Sequence, residues 1–243
     1  MISVKELEVK LDNRVILSNL NLEIGDGEKC VILGPSGEGK SVLIKTIVGL
    51  IKPSKGSVII DGVDMHKGPK EERRRVKANI GFLFQGAALF DFLSVHDNVK
   101  LPLTIGKDYD REEVDQKVKE ALEIVGLEKE GEKMPDELSG GMQKRVAFAR
   151  ALIKRPKYLF CDEPNSGLDP LRARNIDEVI YKLQNSLGAT SIIVTHDMES
   201  IKKVAERVIF VENKSIVFDG QVSDIKGNDQ SHISSFINSY STS

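Results

Sequence analysis

The sequence has few of the features that mark secreted, membrane-spanning or nucleic-acid-binding proteins. Its 243 residues include only two cysteines, Cys30 and Cys161, both in apolar runs, so we expect core thiols in a reducing compartment and no disulfide. No apolar run approaches the roughly 20 residues that a membrane-spanning helix needs. Met1–Lys10 lacks the apolar stretch of a signal peptide. A net charge of −2 leaves no basic excess, so we expect no nucleic-acid partner.

Short strand-like and helix-like segments alternate along the chain, which predicts an α/β fold with a largely parallel central sheet. From residue 86 to 156 the pattern becomes mostly helical, with charges between apolar residues at helical spacing. We therefore predict a core of residues 1–85 and 157–243 and an inserted helical subdomain, 86–156. The expected strands are Val4–Lys10 and Leu20–Ile24 in an antiparallel β edge, then Glu28–Leu33, Ser57–Ile60, Ile80–Phe84, Lys157–Cys161, Ser191–Thr195, Val208–Val211 and Ser215–Phe218. The expected helices are Lys40–Leu50, Glu71–Lys77, Leu171–Ser186, a short one after Thr195 and another at 231–240.

A glycine-rich sequence between a predicted strand and a predicted helix matches the phosphate-loop pattern G-x-x-x-x-G-K-[ST]. Glycines let the backbone wrap closely around phosphates, and the N-terminus of the following helix attracts the same anion. Lys40 is expected to reach the β- and γ-phosphates of a nucleotide, and Ser41 to ligate Mg²⁺. A plain glycine-rich turn would not need the Lys-Ser pair. The predicted phosphate-binding residues are Gly34, Pro35, Ser36, Gly37, Glu38, Gly39, Lys40 and Ser41.

A second apolar strand, Tyr158–Cys161, runs into the two carboxylates Asp162 and Glu163. One carboxylate can hold Mg²⁺ through water, a role we give to Asp162, and the other can accept a proton from an attacking water, a role we give to Glu163. Apolar strands often run into acidic loops, so this pattern is informative only because it lies downstream of a phosphate loop.

The sequence Leu138-Ser-Gly-Gly-Met-Gln143 lies shortly before the acidic strand. Ser139, Gly140 and Gly141 are expected to open a helix, whose hydroxyl, N–H groups and dipole form a second phosphate-binding surface. An ordinary helix start would also use Ser139 as its N-cap, but it leaves the double glycine unexplained. With these motifs in this order, the sequence resembles an ATP-binding cassette (ABC) ATPase over nearly its whole length.

The resemblance implies a P-loop NTPase (RecA-like) core with an antiparallel β edge and an inserted α-helical subdomain, and hydrolysis of ATP with Mg²⁺. Glu163 would be the general base. Gln85, at the end of a predicted strand, resembles the glutamine that the family uses near Mg²⁺ and the attacking water. His196 resembles the switch histidine that contacts the γ-phosphate. Asp169 lies in Ser166–Asp169, which resembles the D-loop that crosses the dimer interface.

The resemblance also implies partners. Two copies of the chain would stack head to tail, with each ATP between the phosphate loop of one copy and Ser139–Gly141 of the other. Transmembrane permease subunits would hold the homodimer at the cytoplasmic face of the inner membrane, so that the chain is peripheral and spans nothing itself.

Two positions depart from the family pattern. An aromatic residue usually stacks on adenine where this sequence has Leu11, followed by Val15. Their aliphatic side chains can still cover the base, but without stacking we expect looser discrimination among nucleotides. A second Ser or Thr often contacts the α-phosphate where this sequence has Val42. Backbone N–H groups can compensate there, so we expect weaker binding and not its loss.

The stretch after Gln85 indicates which transporter is involved. Its Gly-Ala-Ala-Leu-Phe run, 86–90, and the Met-Pro-Asp-Glu-Leu-Ser-Gly-Gly-Met run, 134–142, resemble the ATPases of Mla- and Mce-type phospholipid transporters, which work with permease and Mce-domain partners. The apolar strip Ala87–Phe92 can cradle a permease helix, although its members can equally be core residues of the helical subdomain.

Two alternatives remain open at this point. ATPases of amino-acid or osmolyte importers share the Leu-Ser-Gly-Gly-Met-Gln sequence and are the nearest rival. ABC ATPases of DNA repair or translation, which have no membrane partner, usually carry tandem cassettes, long coiled-coil insertions or basic tails. This sequence has none of these, which favours a transporter subunit.

Overall fold

The computed structural model of the protein describes residues 1–105 and 109–227. The helix expected at 231–240 lies outside these ranges. The strands in the described ranges are β1 Ile2–Leu11, β2 Arg14–Ile24, β3 Lys29–Leu33, β4 Lys55–Ile60, β5 Val63–Asp64, β6 Ile80–Leu83, β7 Tyr158–Asp162, β8 Thr190–Val194, β9 Arg207–Glu212 and β10 Ser215–Gln221. The helices are α1 Lys40–Ile47, α2 Lys70–Ala78, α3 Val95–Thr104, α4 Arg111–Ile124, α5 Gly140–Leu152, α6 Pro170–Leu187 and α7 Met198–Val204, with 3₁₀ turns at Pro135–Glu137 and Val222–Gly227.

The larger sheet has the strand order β10-β9-β3-β8-β7-β6. The five strands from β9 to β6 run parallel, and β10 pairs antiparallel with β9 at one edge. The carboxyl ends of β3, β8, β7 and β6 therefore lie side by side along one edge of the sheet. This arrangement confirms the predicted α/β fold with a largely parallel sheet.

A smaller sheet with the order β2-β1-β4-β5 is antiparallel throughout and forms the predicted β edge. Both of its first strands are longer than predicted. Asp12 and Asn13 turn the chain between them with positive φ angles of 47° and 62°, as a tight hairpin requires, so β2 begins at Arg14 and not at Leu20. The predicted strands also missed the two-residue strand β5.

Alternating residues of the larger sheet bury its two faces in two different cores. In β3, Val31 and Leu33 lie in the core that contains α3–α7, whereas Cys30 and Ile32 lie in the core formed with the smaller sheet and α1. This is the period-two alternation of a strand covered on both faces. Both cysteines are buried and free, as expected, and burial raises the pKa of each thiol, that of Cys30 to about 12.

The region between β6 and β7 carries the helices α3, α4 and α5, in agreement with its mostly helical pattern. Val114, Val118, Ala121 and Leu122 form the buried stripe of α4. These side chains belong to the same hydrophobic cluster as Leu159 of β7, so the helices pack on a core continuous with that of the larger sheet.

None of the helices in the described ranges is long and apolar enough to cross a membrane.

Candidate nucleotide-binding site

The phosphate loop connects the end of β3 to the start of α1, as predicted. Gly34 has a φ of +139°, and a Cβ atom there would lie 1.9 Å from the carbonyl oxygen of Val211 in β9. A Cβ atom on Gly39, where φ is +89°, would lie 2.9 Å from the side chains of Ile16 and Leu17. Both positions therefore require glycine. Within the loop and the first turn of α1, Ser36 and Gly37 are exposed, whereas Pro35, Glu38, Gly39, Ser41 and Val42 are half-buried.

Lys40 is buried at the centre of this loop, with 8% of its surface exposed. Its Nζ donates to the carbonyl oxygens of Gly34 at 2.8 Å and Pro35 at 2.7 Å. Burial lowers the pKa of the Lys40 ammonium, while Glu163, Glu38 and Asp162 oppose that shift. The ammonium is thus held inside the loop where a phosphate would be cradled.

Asp162, the last residue of β7, is fully buried beside this loop. Its Oδ1 accepts a hydrogen bond of 2.6 Å from Ser41 Oγ. Its Oδ2 lies 3.2 Å from Lys45 Nζ but accepts no hydrogen bond from any described residue. A buried carboxylate oxygen without a donor, beside a hydroxyl, is a set of oxygen ligands of the kind that Mg²⁺ prefers. The residues present therefore fit a Mg²⁺ ion.

Glu163 and His196 come together at the ends of adjacent strands. Glu163 has a positive φ of 50°, and its N–H donates to the carbonyl oxygen of Val194 in β8 at 2.9 Å. His196 follows β8 two residues after Val194, and its Nδ1 lies 3.0 Å from Glu163 Oε2 and 3.1 Å from Oε1. The Glu163 side chain is only 14% exposed. The arrangement holds a carboxylate oxygen against an imidazole at the opening of the phosphate loop.

Gln85 does not end a strand as predicted, because β6 ends at Leu83 and Gln85 lies in the turn that follows. Its side chain is exposed. Ala87 and Ala88 continue the turn with positive φ angles of 60° and 51°, and Arg150 Nη2 of α5 donates to the carbonyl oxygen of Ala87 at 2.9 Å. The chain therefore leaves the sheet edge at Gln85 through a compact turn anchored on α5.

Ser139 is the N-cap of α5, and its Oγ accepts from the N–H of Met142 at 3.4 Å. Ser139 and Gly140 are exposed, whereas Gly141 is buried against Arg172, whose Cδ would lie 3.2 Å from a Cβ atom at Gly141. The start of α5 is exposed at Ser139 and Gly140, and it makes no hydrogen bond with this chain's own phosphate loop among the described residues.

Asp169 caps α6, where its Oδ1 accepts from the N–H of Arg172 at 3.0 Å. It is exposed and lies on the segment that follows Glu163. Sequence reasoning missed Lys144 of α5, whose ammonium contacts the carbonyl oxygen of Ser166 in that same segment. Burial lowers the pKa of Lys144, and the charge of Glu163 opposes that shift. Nothing in the sequence around Lys144, in the second turn of α5, predicts this contact.

The hairpin between β1 and β2 carries the two residues that were expected to cover the adenine base. Leu11 is 37% exposed and pairs with Arg14 across the hairpin, and Val15 is half-buried and pairs with Lys10. Ile16, which the sequence did not single out, lies against Gly39 together with Leu17. Its place beside the phosphate loop follows from the length of β2, which the sequence patterns underestimated.

The protein family described as ABC transporter matches residues 17–166, more than half of the chain. The chain belongs to the ABC transporter family. Accordingly, it is the nucleotide-binding subunit of such a transporter, an ATPase that binds ATP, and it works with transmembrane subunits. The matched range runs from β2 through the phosphate loop and the start of α5 to Ser166.

Two groups of curated relatives are similar to the chain. A protein named methionine import ATP-binding protein MetN, from Carboxydothermus hydrogenoformans, is 40% identical over 93% of this chain and 67% of its own length. A probable ribonucleotide transport ATP-binding protein, mkl, from Mycobacterium leprae is 36% identical over 98% of this chain and 68% of its own length. The chain thus spans about two thirds of each relative, and their names point to different substrates.

Solved structures agree with this assignment. The ATP-binding cassette MJ0796, described as a dimer in a post-hydrolysis state bound to ADP and Pi, matches 91% of this chain and 99% of its own with a TM-score of 0.84 and 32% identity. The cbiO1 protein of Clostridium perfringens, described as part of the ABC transporter complex cbiONQ, matches 95% of this chain with a TM-score of 0.82 and 30% identity. Both likenesses confirm the ABC ATPase fold.

Proposed function

We propose that the chain is the motor of a phospholipid transporter, acting as a homodimer with permease and Mce-domain partners at the cytoplasmic face of the inner membrane. The single observation that carries the docking part of this proposal is a pair of exposed aromatic side chains, Phe90 and Phe92, beside the turn that leaves Gln85.

ATP is proposed to bind the phosphate loop, with Lys40 on the β- and γ-phosphates and the loop N–H groups around them. Ser41 and Asp162 would hold Mg²⁺, with Gln85 reaching it from the neighbouring turn. The ion neutralises charge that develops on the phosphates. Lys40 is already buried and directed into the loop by its bonds to Gly34 and Pro35.

Glu163 is proposed to take a proton from the attacking water at a carboxylate oxygen. His196, 3.0 Å away, orients that carboxylate and contacts the γ-phosphate. Ser139, Gly140 and Asp169 are exposed, and the hydrogen bonds that the Ser139 and Asp169 side chains make among the described residues stay within their own helices. A second copy would supply these groups to the ATP of the first, so that ATP closes the dimer and hydrolysis opens it.

The proposed permease site is a groove of about 550 Å³ between the edge of the larger sheet and the helical region. Its lining includes Phe82, Phe84, Phe90, Pro102 and Arg150. Phe90 is 43% exposed and its ring lies 5.6 Å from that of Phe92, which is 76% exposed. Exposed adjacent aromatics beside a groove are typical of an interaction surface. Motion at Gln85 would then connect the ATP site to the permease.

The structure separates the members of the apolar strip that the sequence left undecided. Leu89 packs against the core of the helical region, and Ala87 is buried. Phe90 and Phe92, in contrast, project into solvent. The Gly-Ala-Ala-Leu-Phe run that resembles Mla- and Mce-type ATPases thus ends at the groove, which is where a phospholipid permease would be recognised.

A second candidate is an amino-acid importer. The 40% identity to a protein named for methionine import favours it. Both candidates use the same ATP site and the same groove, and they differ in the permease and in the transported molecule.

The test is ATP turnover of the membrane complex, purified from native membranes through a tagged full chain. We expect phospholipid to stimulate turnover and methionine to have no effect. Phe92→Ala should abolish that stimulation, while the basal turnover of the isolated chain stays unchanged. Tyr181→Ala, which removes an aromatic ring 47% exposed on α6, is the matched control and should keep the stimulation.

Three outcomes would contradict parts of the proposal: the substrate, the transport role and the docking site. Stimulation by methionine and not by phospholipid would establish the importer and overturn the lipid proposal. A chain that copurifies with no membrane protein, and whose turnover in isolation is fast, would contradict a transport role. Equal stimulation in Phe92→Ala and wild type would contradict docking at the groove.

A further inference from the structure

A buried polar cluster joins the segment after β7 to α6 and α7 and has no role in the function proposed above. It consists of Asn165, Asp177 and Ser200, which are 9%, 3% and 1% exposed. Asn165 Nδ2 donates to Asp177 Oδ1 at 2.8 Å and to Ser200 Oγ at 2.7 Å. Ser200 Oγ donates to Asp177 Oδ2 at 2.8 Å. The three residues thus form a closed triangle of hydrogen bonds in which each oxygen of one carboxylate accepts one bond.

The triangle joins segments that carry the groups proposed to act on ATP. Asn165 lies two residues after Glu163 and four before Asp169, and its carbonyl oxygen accepts from the N–H of Leu168 at 3.1 Å. The N–H of Ser166 donates to the carbonyl oxygen of Glu163 at 3.2 Å. Asn165 is therefore the buried anchor of the segment between the proposed base and the D-loop.

Ser200 anchors the other segment, in the first turn of α7. Its N–H and that of Glu199 donate to Asp197 Oδ1, at 3.4 and 2.9 Å. The N–H of Asp197 in turn donates to Thr195 Oγ1 at 3.1 Å. His196 lies between Thr195 and Asp197, so its backbone is fixed on both sides by bonds that lead to Ser200.

We propose that Asp177, on α6, is a positioning residue for ATP hydrolysis, which holds the Glu163 and His196 segments in register through Asn165 and Ser200. It touches neither ATP nor the attacking water. Its effect is to keep Glu163 and His196 at the 3.0 Å separation observed here. The inference rests on the roles proposed for those two residues.

The chemistry of the cluster favours a carboxylate at this position. An amide donor and a hydroxyl donor both point at Asp177, and an ionised carboxylate offers an acceptor to each. Burial raises the pKa of Asp177, and the two donors oppose that shift. An alanine would leave one N–H of the Asn165 amide and the Ser200 hydroxyl buried without their acceptor, while the bond from Asn165 to Ser200 could remain. An asparagine could keep its oxygen on Asn165 and turn its amide toward Ser200, which can accept, so it would preserve part of the triangle.

The test compares full-chain variants by their rate of ATP hydrolysis at saturating MgATP and by equilibrium binding of MgADP. A shift of about 1 Å in a reacting group can cost about 10²-fold in rate. We expect Asp177→Ala to hydrolyse ATP about 10- to 100-fold more slowly, with MgADP affinity within about twofold of wild type. Asp177→Asn should hydrolyse ATP faster than Asp177→Ala but more slowly than wild type. The rate should fall less in Ser200→Ala than in Asp177→Ala.

The matched control is Glu178→Ala. Glu178 is the next residue on α6 and also reaches α7, through an exposed ion pair with Lys203 at 3.4 Å. Loss of the Glu178 carboxylate should leave the rate of ATP hydrolysis unchanged, because exposed ion pairs contribute little to stability. Equal rates for Asp177→Ala and Glu178→Ala would overturn the proposal. So would a loss of MgADP affinity as large as the loss of rate, since this would indicate a general folding defect.

Ser200→Ala and two reference variants keep the outcome decisive. If Asp177→Ala does not fold, Ser200→Ala removes only one oxygen, and a wild-type rate in that variant would overturn the proposal. Glu163→Gln and His196→Ala are measured alongside. Wild-type rates in both would contradict the proposed ATP site itself. Low rates in both, with a normal rate in Asp177→Ala, would contradict the positioning role alone.

Discussion

The two proposed phosphate-binding surfaces of the molecule, the phosphate loop and the start of α5, differ in how far they are completed by their own chain. At the phosphate loop, Lys40 and Asp162 are buried and already hydrogen-bonded to Gly34, Pro35 and Ser41. At the start of α5, Ser139 and Gly140 are exposed, and Ser139 bonds only within its own helix among the described residues. One surface is enclosed and the other is open.

This difference supports the proposal that one chain binds ATP but needs a second copy to hydrolyse it. Backbone N–H groups and a buried ammonium suffice to bind phosphates within one chain. The exposed N–H groups at Ser139 can bind phosphate only when another molecule brings one to them. Binding is therefore expected to depend on the enclosed surface, and dimerisation on the open one.

The largest effect should come from breaking the enclosed surface. In Lys40→Ala the phosphates lose their main cationic partner, so we expect ATP binding and turnover to be abolished. Equilibrium binding of MgATP measures this directly. Lys52→Ala, which removes an exposed lysine just beyond α1, should bind normally. Wild-type affinity in Lys40→Ala would show that the phosphate loop is wrongly assigned.

The next effect separates binding from chemistry within the enclosed surface. Glu163→Gln keeps the shape of the side chain but cannot take a proton, so turnover should fall by about 10²–10⁴-fold. ATP affinity should survive, because Lys40 and Ser41 are untouched. Steady-state phosphate release and MgATP binding are the measurements, with Glu199→Gln on the exposed face of α7 as control. Unchanged turnover in Glu163→Gln would show that Glu163 is not the general base.

The open surface is tested by dimerisation. Glu163→Gln should accumulate an ATP-bound dimer with its permease present, and adding Ser139→Arg should abolish that dimer, because a bulky cation blocks closure. Size-exclusion chromatography with MgATP measures both. Adding Gln116→Arg, an equally bulky cation on α4, should leave the dimer intact. A dimer that persists with Ser139→Arg would show that the start of α5 takes no part in closure.

The smallest effect concerns recognition of the adenine base of ATP. Aromatic contacts are worth about 0.5–1.5 kcal/mol, so Leu11→Tyr should tighten ATP binding roughly two- to tenfold. GTP and ATP turnover in the wild type should differ little. Competition binding of ATP and GTP measures both quantities, and Leu50→Tyr, at a leucine 56% exposed elsewhere, is the control. An unchanged ATP affinity in Leu11→Tyr would show that this position does not face the base.

Local patterns in the sequence predicted the elements that depend on local physics. The phosphate loop, the start of α1 at Lys40 and the helical stripe of α4 all follow from residue type and spacing. The hairpin at Asp12–Asn13 was not predicted, although both residues are of types that tolerate positive φ. That error shortened β2 and hid Ile16 beside the phosphate loop.

Contacts between distant segments could not be predicted in the same way. The ion pair of Lys45 with Asp162 and the bond of Lys144 to Ser166 depend on which strands become neighbours. Asn165, Asp177 and Ser200 are ordinary polar residues in the sequence, and only the packing of α6 and α7 buries them together. Periodicity indicates which face of a helix is buried but not which polar groups meet there.

The parallel pairing of β6 with β7 has a consequence for how such proteins diversify. Gln85 and Glu163 are separated by the whole helical region in sequence, yet the strands before them are hydrogen-bonded neighbours, with Leu83 opposite Cys161. Adjacent strands lie about 4.8 Å apart whatever connects them. Insertions, deletions or exchanges between these strands can therefore remodel the proposed permease-facing surface during evolution while the spacing of the proposed hydrolytic groups stays constant.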